Sequence, residues 1–288
     1  MTTHQVPDNQ DARPRPVRPA WPCLLSGPIR CLPDFLVIGA QKSGTSSLAA
    51  YLHEHPAAWI APCKECHFFS RPWRPLSMYR GFFPTRSARR RMEVERGHPV
   101  QLGEATPYYL FHPMAPDRVA RSLPRARIIV LLRDPVERAW SHYRHSVRLG
   151  YESLDFDEAL AREPERLEGQ EDKLIQSRFA VSHPHRDFSY VARGHYANQL
   201  NRWFSVIDRS RVHVEIAEDL FRDPTGATAR IEQFLGLPAG PTREFDVLNK
   251  GLQMAPMSDS TRKRLSDTFS TSNQELATLL DRDLPWPG

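Results

Sequence analysis

No stretch of this 288-residue chain approaches the roughly 20 consecutive apolar residues that a membrane helix needs. Ala20-Trp21-Pro22-Cys23-Leu24-Leu25 is too short and too broken by proline to form the apolar core of a signal peptide. Cysteine is scarce, with only Cys23, Cys31, Cys63 and Cys66. Cys63-Lys64-Glu65-Cys66 is a lone C-x-x-C with no second pair at zinc spacing, so four reduced thiols are the favoured expectation, with a metal or redox role beside His67 as the alternative. Neither sign of charge dominates: the net charge of +5 and pI near 9.2 favour anionic ligands but are too mild to imply nucleic acid. There is no internal repeat, and no long low-complexity segment after residue 33. These absences lead to the expectation of a soluble, cytoplasmic protein with no membrane span, and they leave its oligomeric state open.

What is present is an ordinary globular composition, 40% apolar and 25% charged. Residues 1–32 are polar and rich in proline and arginine, and are expected to be a disordered tail. Residues 33–288 are expected to form a single domain. Strand-like runs at Asp34–Gly39, Ala57–Ile60, Val100–Glu104, Arg127–Leu132 and Arg211–Ile216 alternate with helical patterns. The helices are expected over Ser43–His53, Met78–Phe83, Pro135 to about Leu149, His195–Val206 and Pro224–Leu235, with one or two more within 258–281. This alternation predicts an α/β three-layer sandwich with a central, mostly parallel sheet, like the P-loop nucleotide hydrolases. Ligand loops in such sheets sit at the carboxyl ends of the strands.

The strand at Phe35–Gly39 runs into Ala40-Gln41-Lys42-Ser43-Gly44-Thr45-Ser46. Gly39 and Gly44 keep the glycine spacing of a nucleotide triphosphate loop, but Thr45 stands where that loop has its lysine, and Lys42 lies two residues early. Backbone N–H groups at a helix start form an anion cradle, to which Lys42 adds a point charge and Ser43, Thr45 and Ser46 add hydroxyls. The displaced lysine argues for an anionic adenine nucleotide other than ATP. The plainer alternative is a glycine-containing turn with an incidental lysine.

Arg133 ends a second buried strand on the same sheet edge, and Ser141 lies two turns into the next helix. Arginine matches phosphate geometry bidentately, so this pair offers a second anion site. The alternatives are an Arg133–Asp134 surface pair, or a magnesium role for Asp134. In Lys64-Glu65-Cys66-His67-Phe68-Phe69, an extended loop turns Glu65 and His67 to one side, where a carboxylate beside an imidazole can deprotonate an acceptor. Otherwise this is a polar loop anchored by Phe68 and Phe69. The basic run Arg86, Arg89, Arg90, Arg91 and Arg96 reads as a solvated helix face in preference to a rim that attracts an anionic acceptor.

Taken in order, Pro33–Ser46, Lys64–Phe69 and Arg133-Asp134-Pro135-Val136-Glu137-Arg138-Ala139 with Ser141-His142-Tyr143 resemble the sulfotransferases that use 3′-phosphoadenosine 5′-phosphosulfate. The resemblance is nearest to the heparan sulfate glucosaminyl sulfotransferase branch and its bacterial relatives, and it spans most of residues 33–288. It implies that Lys42, Ser43, Gly44, Thr45 and Ser46 cradle the 5′-phosphosulfate, and that Arg133 and Ser141 hold the 3′-phosphate. It implies Glu65 as general base, His67 beside the acceptor, and Lys42 on the leaving group, adenosine 3′,5′-bisphosphate, with no metal.

Phe68, Glu104, Thr106, Tyr108 and Tyr196 are implied acceptor contacts, and Lys250 and Gly251 implied nucleotide contacts. The acceptor would be a hydroxyl or amine of a glycan, glycolipid or natural product. Ala105 stands where the glycosaminoglycan enzymes carry lysine, Cys66 stands where proline is common, and Leu252–Pro256 matches the closing loop only loosely. Phe68, Phe69, Tyr108, Tyr109 and Phe111 line a partly apolar cleft or pack in the core. Two rival functions share the loop: a kinase-like, magnesium-dependent NTP transferase, and a non-catalytic nucleotide- or glycan-binding protein.

Overall fold

Apolar runs with no polar alternation require a sheet that is covered on both faces. The computed structural model, which describes residues 26–63, 65–71, 73–240 and 254–286, has that arrangement. Its strands are β1 (Phe35–Gly39), β2 (Ala58–Ile60), β3 (Gln101–Ala105), β4 (Arg127–Leu132) and β5 (Val212–Ile216). They form one sheet in the order β2-β3-β1-β4-β5, and every pairing is parallel.

The helices are α1 (Thr45–Glu54), α2 (Leu76–Arg80), α3 (Arg86–Arg96), α4 (Ala115–Ser122), α5 (Pro135–Arg148) and α6 (Phe156–Leu167). They continue as α7 (Gln170–Gln176), α8 (His183–Asp187), α9 (Tyr196–Phe204), α10 (Ala217–Arg222), α11 (Pro224–Leu235) and α12 (Asp259–Leu280). The last is one helix where the sequence allowed two, while α4 and α10 were not anticipated.

Successive strand residues point to opposite faces. Phe35, Val37 and Ile129 pack with Leu48 and Leu52 of α1 and with Ile231 and Leu235 of α11. Leu36, Ile38, Ile128 and Val130 pack on the other face with Val119 of α4, Leu200 and Trp203 of α9, and Leu276 of α12. The result is the expected three-layer α/β sandwich, with a sheet that is wholly parallel. Gly103 permits the closest approach inside it, because a Cβ there would lie 2.3 Å from the Phe35 ring. β1 is flanked by β3 and β4, so its carboxyl end lies at the switch point where ligands bind in such sheets.

Two expectations change, and the preferred reading of the basic run as a helix face holds. Residues 26–32, assigned to the tail, are held in place: Gly27–Ile29 form a turn and the Cys31 N–H donates to the Pro84 carbonyl at 2.9 Å. The thiols are not all reduced, because Cys63 and Cys66 are bridged, with Cα atoms 5.9 Å apart, and among the described residues Cys31 is a buried free thiol. The basic run forms α3, and Arg89 of α3 pairs with Asp34, just before β1, at 3.0 Å. That places α3 at the amino edge of the sheet, away from the loops, so its arginines do not rim the site. Among the described residues no helix is long and apolar enough to cross a membrane.

Candidate active site

The phosphate-type loop leaves β1 and enters α1 through Gly44, whose φ is +93°. A Cβ there would lie 2.9 Å from the Phe221 ring, so both the backbone and the space call for glycine. The first N–H groups of a helix have no intrahelical partner and are available to an anion. Lys42 is also left-handed, with φ +72°. The Arg133 guanidinium donates to the Lys42 carbonyl at 3.3 Å, so the two predicted phosphate elements touch.

Arg133 pairs with Glu137 at 3.7 Å, not with Asp134. Asp134 is taken up locally, as the cap of α5 that accepts from the Val136 N–H at 2.9 Å. Ser141 is buried on α5, one turn from Arg138 and beside His142. Lys250 and Gly251 lie outside the described residues, as does Lys64.

This edge holds more donors than acceptors. The Ser43 hydroxyl, Nε and Nη1 of Arg138 and Nδ1 of His142 are buried with no hydrogen-bond partner among the described residues. Burial, reinforced by Arg193 and Arg138, pushes the His142 pKa well down and keeps that ring neutral. Buried polar groups normally find partners, so unfilled donors next to Lys42 and Arg133 fit a polyanionic ligand. Arg193 reinforces the loop. It is buried, donates to Gln41 of the loop and to the Ser189 hydroxyl, and lies 5.0 Å over the Tyr108 ring.

Glu65 and His67 come together as the spacing predicted, Oε2 to Nε2, at 3.2 Å. The loop is not extended, however. Glu65 and His67 have φ of +60° and +52°, a costly conformation outside glycine that persists only where surroundings impose it. The Glu65 N–H donates to the Ala105 carbonyl at 3.2 Å, and the Cys63–Cys66 bridge closes the loop around Glu65. The Glu65 side chain is 36% exposed and that of His67 16%, so the pair is reachable from solvent. Ser70 steadies the imidazole, with its hydroxyl 3.3 Å from His67 Nδ1.

A cleft opens beside His67, lined by Ser70, Arg71, Tyr108, His112 and Arg186 and closed by Leu174, Val181 and Ser182. Burial, then Arg118, lowers the His112 pKa to about 3, and burial, then Arg193, lowers that of His185 to about 2. Both rings are therefore neutral walls, not acids at neutral pH. Of the predicted acceptor contacts, Tyr108 lines this cleft and hydrogen-bonds His185 at 2.9 Å.

The other predicted contacts sit behind the wall. Phe68 is buried and stacks on Tyr79 at 4.5 Å. Thr106 is fully buried, and Tyr196 is buried with its hydroxyl donating to the Arg133 carbonyl at 2.9 Å. Glu104 is 1% exposed, and Phe69 and Tyr109 belong to the core. Aromatic residues next to a motif read the same whether they face a cleft or a core. Ser70 and Arg71, which directly follow the motif, could have been found from the sequence. His112 and Arg186 come from separate segments and left no signal.

Residues 32–282 match the model of the sulfotransferase domain family. The chain belongs to the sulfotransferase family. It is 26% identical to the membrane-associated sulfotransferase kil1 of Dictyostelium discoideum, over 91% of this chain and 68% of that protein. It is 31% identical to the human heparan sulfate glucosamine 3-O-sulfotransferase 6, over 77% of this chain and 58% of that one. With the human bifunctional heparan sulfate N-deacetylase/N-sulfotransferase 2 the identity is 28%, over 87% of this chain but only 30% of the relative's length. A crystal structure of a sulfotransferase from Alicyclobacillus acidocaldarius superposes with TM-score 0.67 at 33% identity, covering 88% of this chain and 98% of that one. This sulfotransferase is therefore an enzyme of sulfuryl transfer, and the kinase and non-catalytic readings are set aside.

Proposed function

We propose that this sulfotransferase moves the sulfuryl group of 3′-phosphoadenosine 5′-phosphosulfate to a hydroxyl or amine in the cleft beside His67. The donor supplies an activated sulfuryl group. Lys42 with the backbone and hydroxyls of Ser43–Ser46 holds its 5′ end, and Arg133 with Ser141 holds its 3′-phosphate. The surplus of buried donors at this edge supports that assignment. As the acceptor oxygen bonds to sulfur, Glu65 takes its proton, the bridging S–O bond breaks, and Lys42 stabilises the charge on the departing phosphate oxygen. Preorganised donors of this kind carry the largest catalytic share in many enzymes.

The observation that carries the proposal is the partly exposed Glu65 carboxylate, held 3.2 Å from His67, which itself lines the cleft, on a loop with left-handed backbone at both residues. Polar groups in the cleft support a glycan, glycolipid or natural-product acceptor. Val181 in its wall and Phe179, 64% exposed two residues earlier, favour an acceptor with an apolar portion, as does Ala105 in place of a cation. Glu65→Gln is expected to keep the affinity for adenosine 3′,5′-bisphosphate while lowering kcat by about 10²–10⁴-fold. A fully active variant would remove Glu65 from the mechanism.

A further inference from the structure

We propose that Glu104 is a positioning residue: as a neutral acid it holds the two tyrosines that fix the Glu65–His67 loop, and it does not contact the acceptor. The inference rests on Glu65 being the base. Glu104 sits on β3, next to Ala105, whose carbonyl receives the Glu65 N–H. Three hydroxyls face its carboxyl: Tyr79 from α2, and Thr106 and Tyr109 from the segment that follows β3. No cation among the described residues faces it. Neither carboxyl oxygen is in good hydrogen-bonding geometry with a described group, and the Tyr79 and Thr106 hydroxyls are likewise buried and unpartnered. Four polar groups thus share one dry chamber.

The chamber is coupled to the loop at several points. The Phe69 N–H donates to the Tyr109 hydroxyl at 3.3 Å. Phe68 stacks on Tyr79 at 4.5 Å, and Phe69 meets Tyr79 and Tyr109 edge-on at 5.1 and 5.4 Å. The loop that holds Glu65 and His67 in unfavourable φ is therefore tied at one end to the peptide after Glu104 and at the other to a tyrosine that Glu104 faces.

A carboxylate here would be a buried charge without a counterion, which is the most expensive way to fill the chamber. A protonated carboxyl donates to one hydroxyl oxygen and accepts from the others. Burial raises its pKa to about 8, with only the three hydroxyls opposing, so the neutral form prevails at neutral pH. Glutamine has the same shape and keeps a donor and an acceptor, whereas alanine leaves the hydroxyls without a partner.

The test is the pH profile of kcat/KM for the wild type, Glu104→Gln, Glu104→Ala and Tyr109→Phe, with binding of adenosine 3′,5′-bisphosphate as the check on folding. Wild type should decline in kcat/KM near pH 8, and Glu104→Gln should stay within about threefold of wild type at neutral pH and lack that decline. Glu104→Ala and Tyr109→Phe should lose at least about tenfold in kcat with bisphosphate affinity unchanged, because small misplacements of a base are costly. A Gln variant as impaired as Ala, or one with the wild-type alkaline decline, would overturn the proposal. So would full activity in the Ala and Phe variants. Glu65→Gln assayed alongside separates the two ideas. If it is active, the base assignment falls; if it is inactive while Glu104→Ala is active, only the positioning role falls.

Discussion

Replacing the titratable carboxyl of Glu104 by an amide in Glu104→Gln should change how the stability of the enzyme depends on pH, and the size of the change follows from its burial. The carboxyl titrates at 4.5 in an unfolded chain and near 8 in the fold. Between those values the native state holds a proton that the unfolded state has released. Wild-type stability therefore falls as pH rises through this window, and the loss stops growing above the folded pKa. At 1.36 kcal/mol per pKa unit, the movement from about pH 5 to about pH 7.5 corresponds to about 3 kcal/mol. Glutamine cannot titrate, so it escapes this loss. His112 and His185 act in the opposite sense, because their lowered pKa values make stability fall as pH drops below 6.5. They are present in both proteins and cancel in the difference. Urea unfolding of both proteins at several pH values measures that difference. The Gln variant should gain on wild type by about 3 kcal/mol across the window. Parallel stability curves would show that Glu104 titrates normally and that its chamber is not dry.

Two further perturbations test the donor end. Arg133→Ala removes a guanidinium that reaches the loop, and should weaken adenosine 3′,5′-bisphosphate by about 10–100-fold, the value of one or two charge-assisted hydrogen bonds, while AMP is little affected. Equal losses for both nucleotides by titration calorimetry would remove its 3′-phosphate role. Gly44→Ala forces a side chain into φ +93° and against the Phe221 ring, and should cost at least about 1 kcal/mol of stability and about tenfold or more in bisphosphate affinity. An unchanged melting temperature and affinity would show that the loop does not depend on that geometry.

What could be read from the sequence depended on whether the signal was local. β1 and β4 were found because fully buried parallel strands leave unbroken apolar runs. Glu65 and His67 lie together as expected, but through a left-handed backbone and not through the extended loop the spacing argument assumed, and that backbone could not be inferred since neither residue is glycine. Asp134 could be misread as a magnesium ligand from its place after a strand, but it caps the helix that Pro135 opens. Glu104 is the sharpest case. A carboxylate near a motif reads as a ligand-facing group, because its burial depends on Tyr79, a residue 25 positions earlier on a short helix. Tyr196 left no local signal for the same reason: its hydroxyl donates to the Arg133 carbonyl, far away in sequence.

The neutrality of Glu104 also bears on the charge balance of the transfer site. The loop edge concentrates Lys42, Arg138 and Arg193 around His142, where the proposed function seats a polyanionic donor, and Glu65 is a partly exposed carboxylate. An ionised Glu104 would add negative charge to the protein that receives the proposed anionic donor. A base that must stay ionised beside an anionic donor gains from a neighbour that stays protonated. On this argument the burial of Glu104 gives the loop rigidity and leaves the negative charge of the base where the acceptor proton is to be taken.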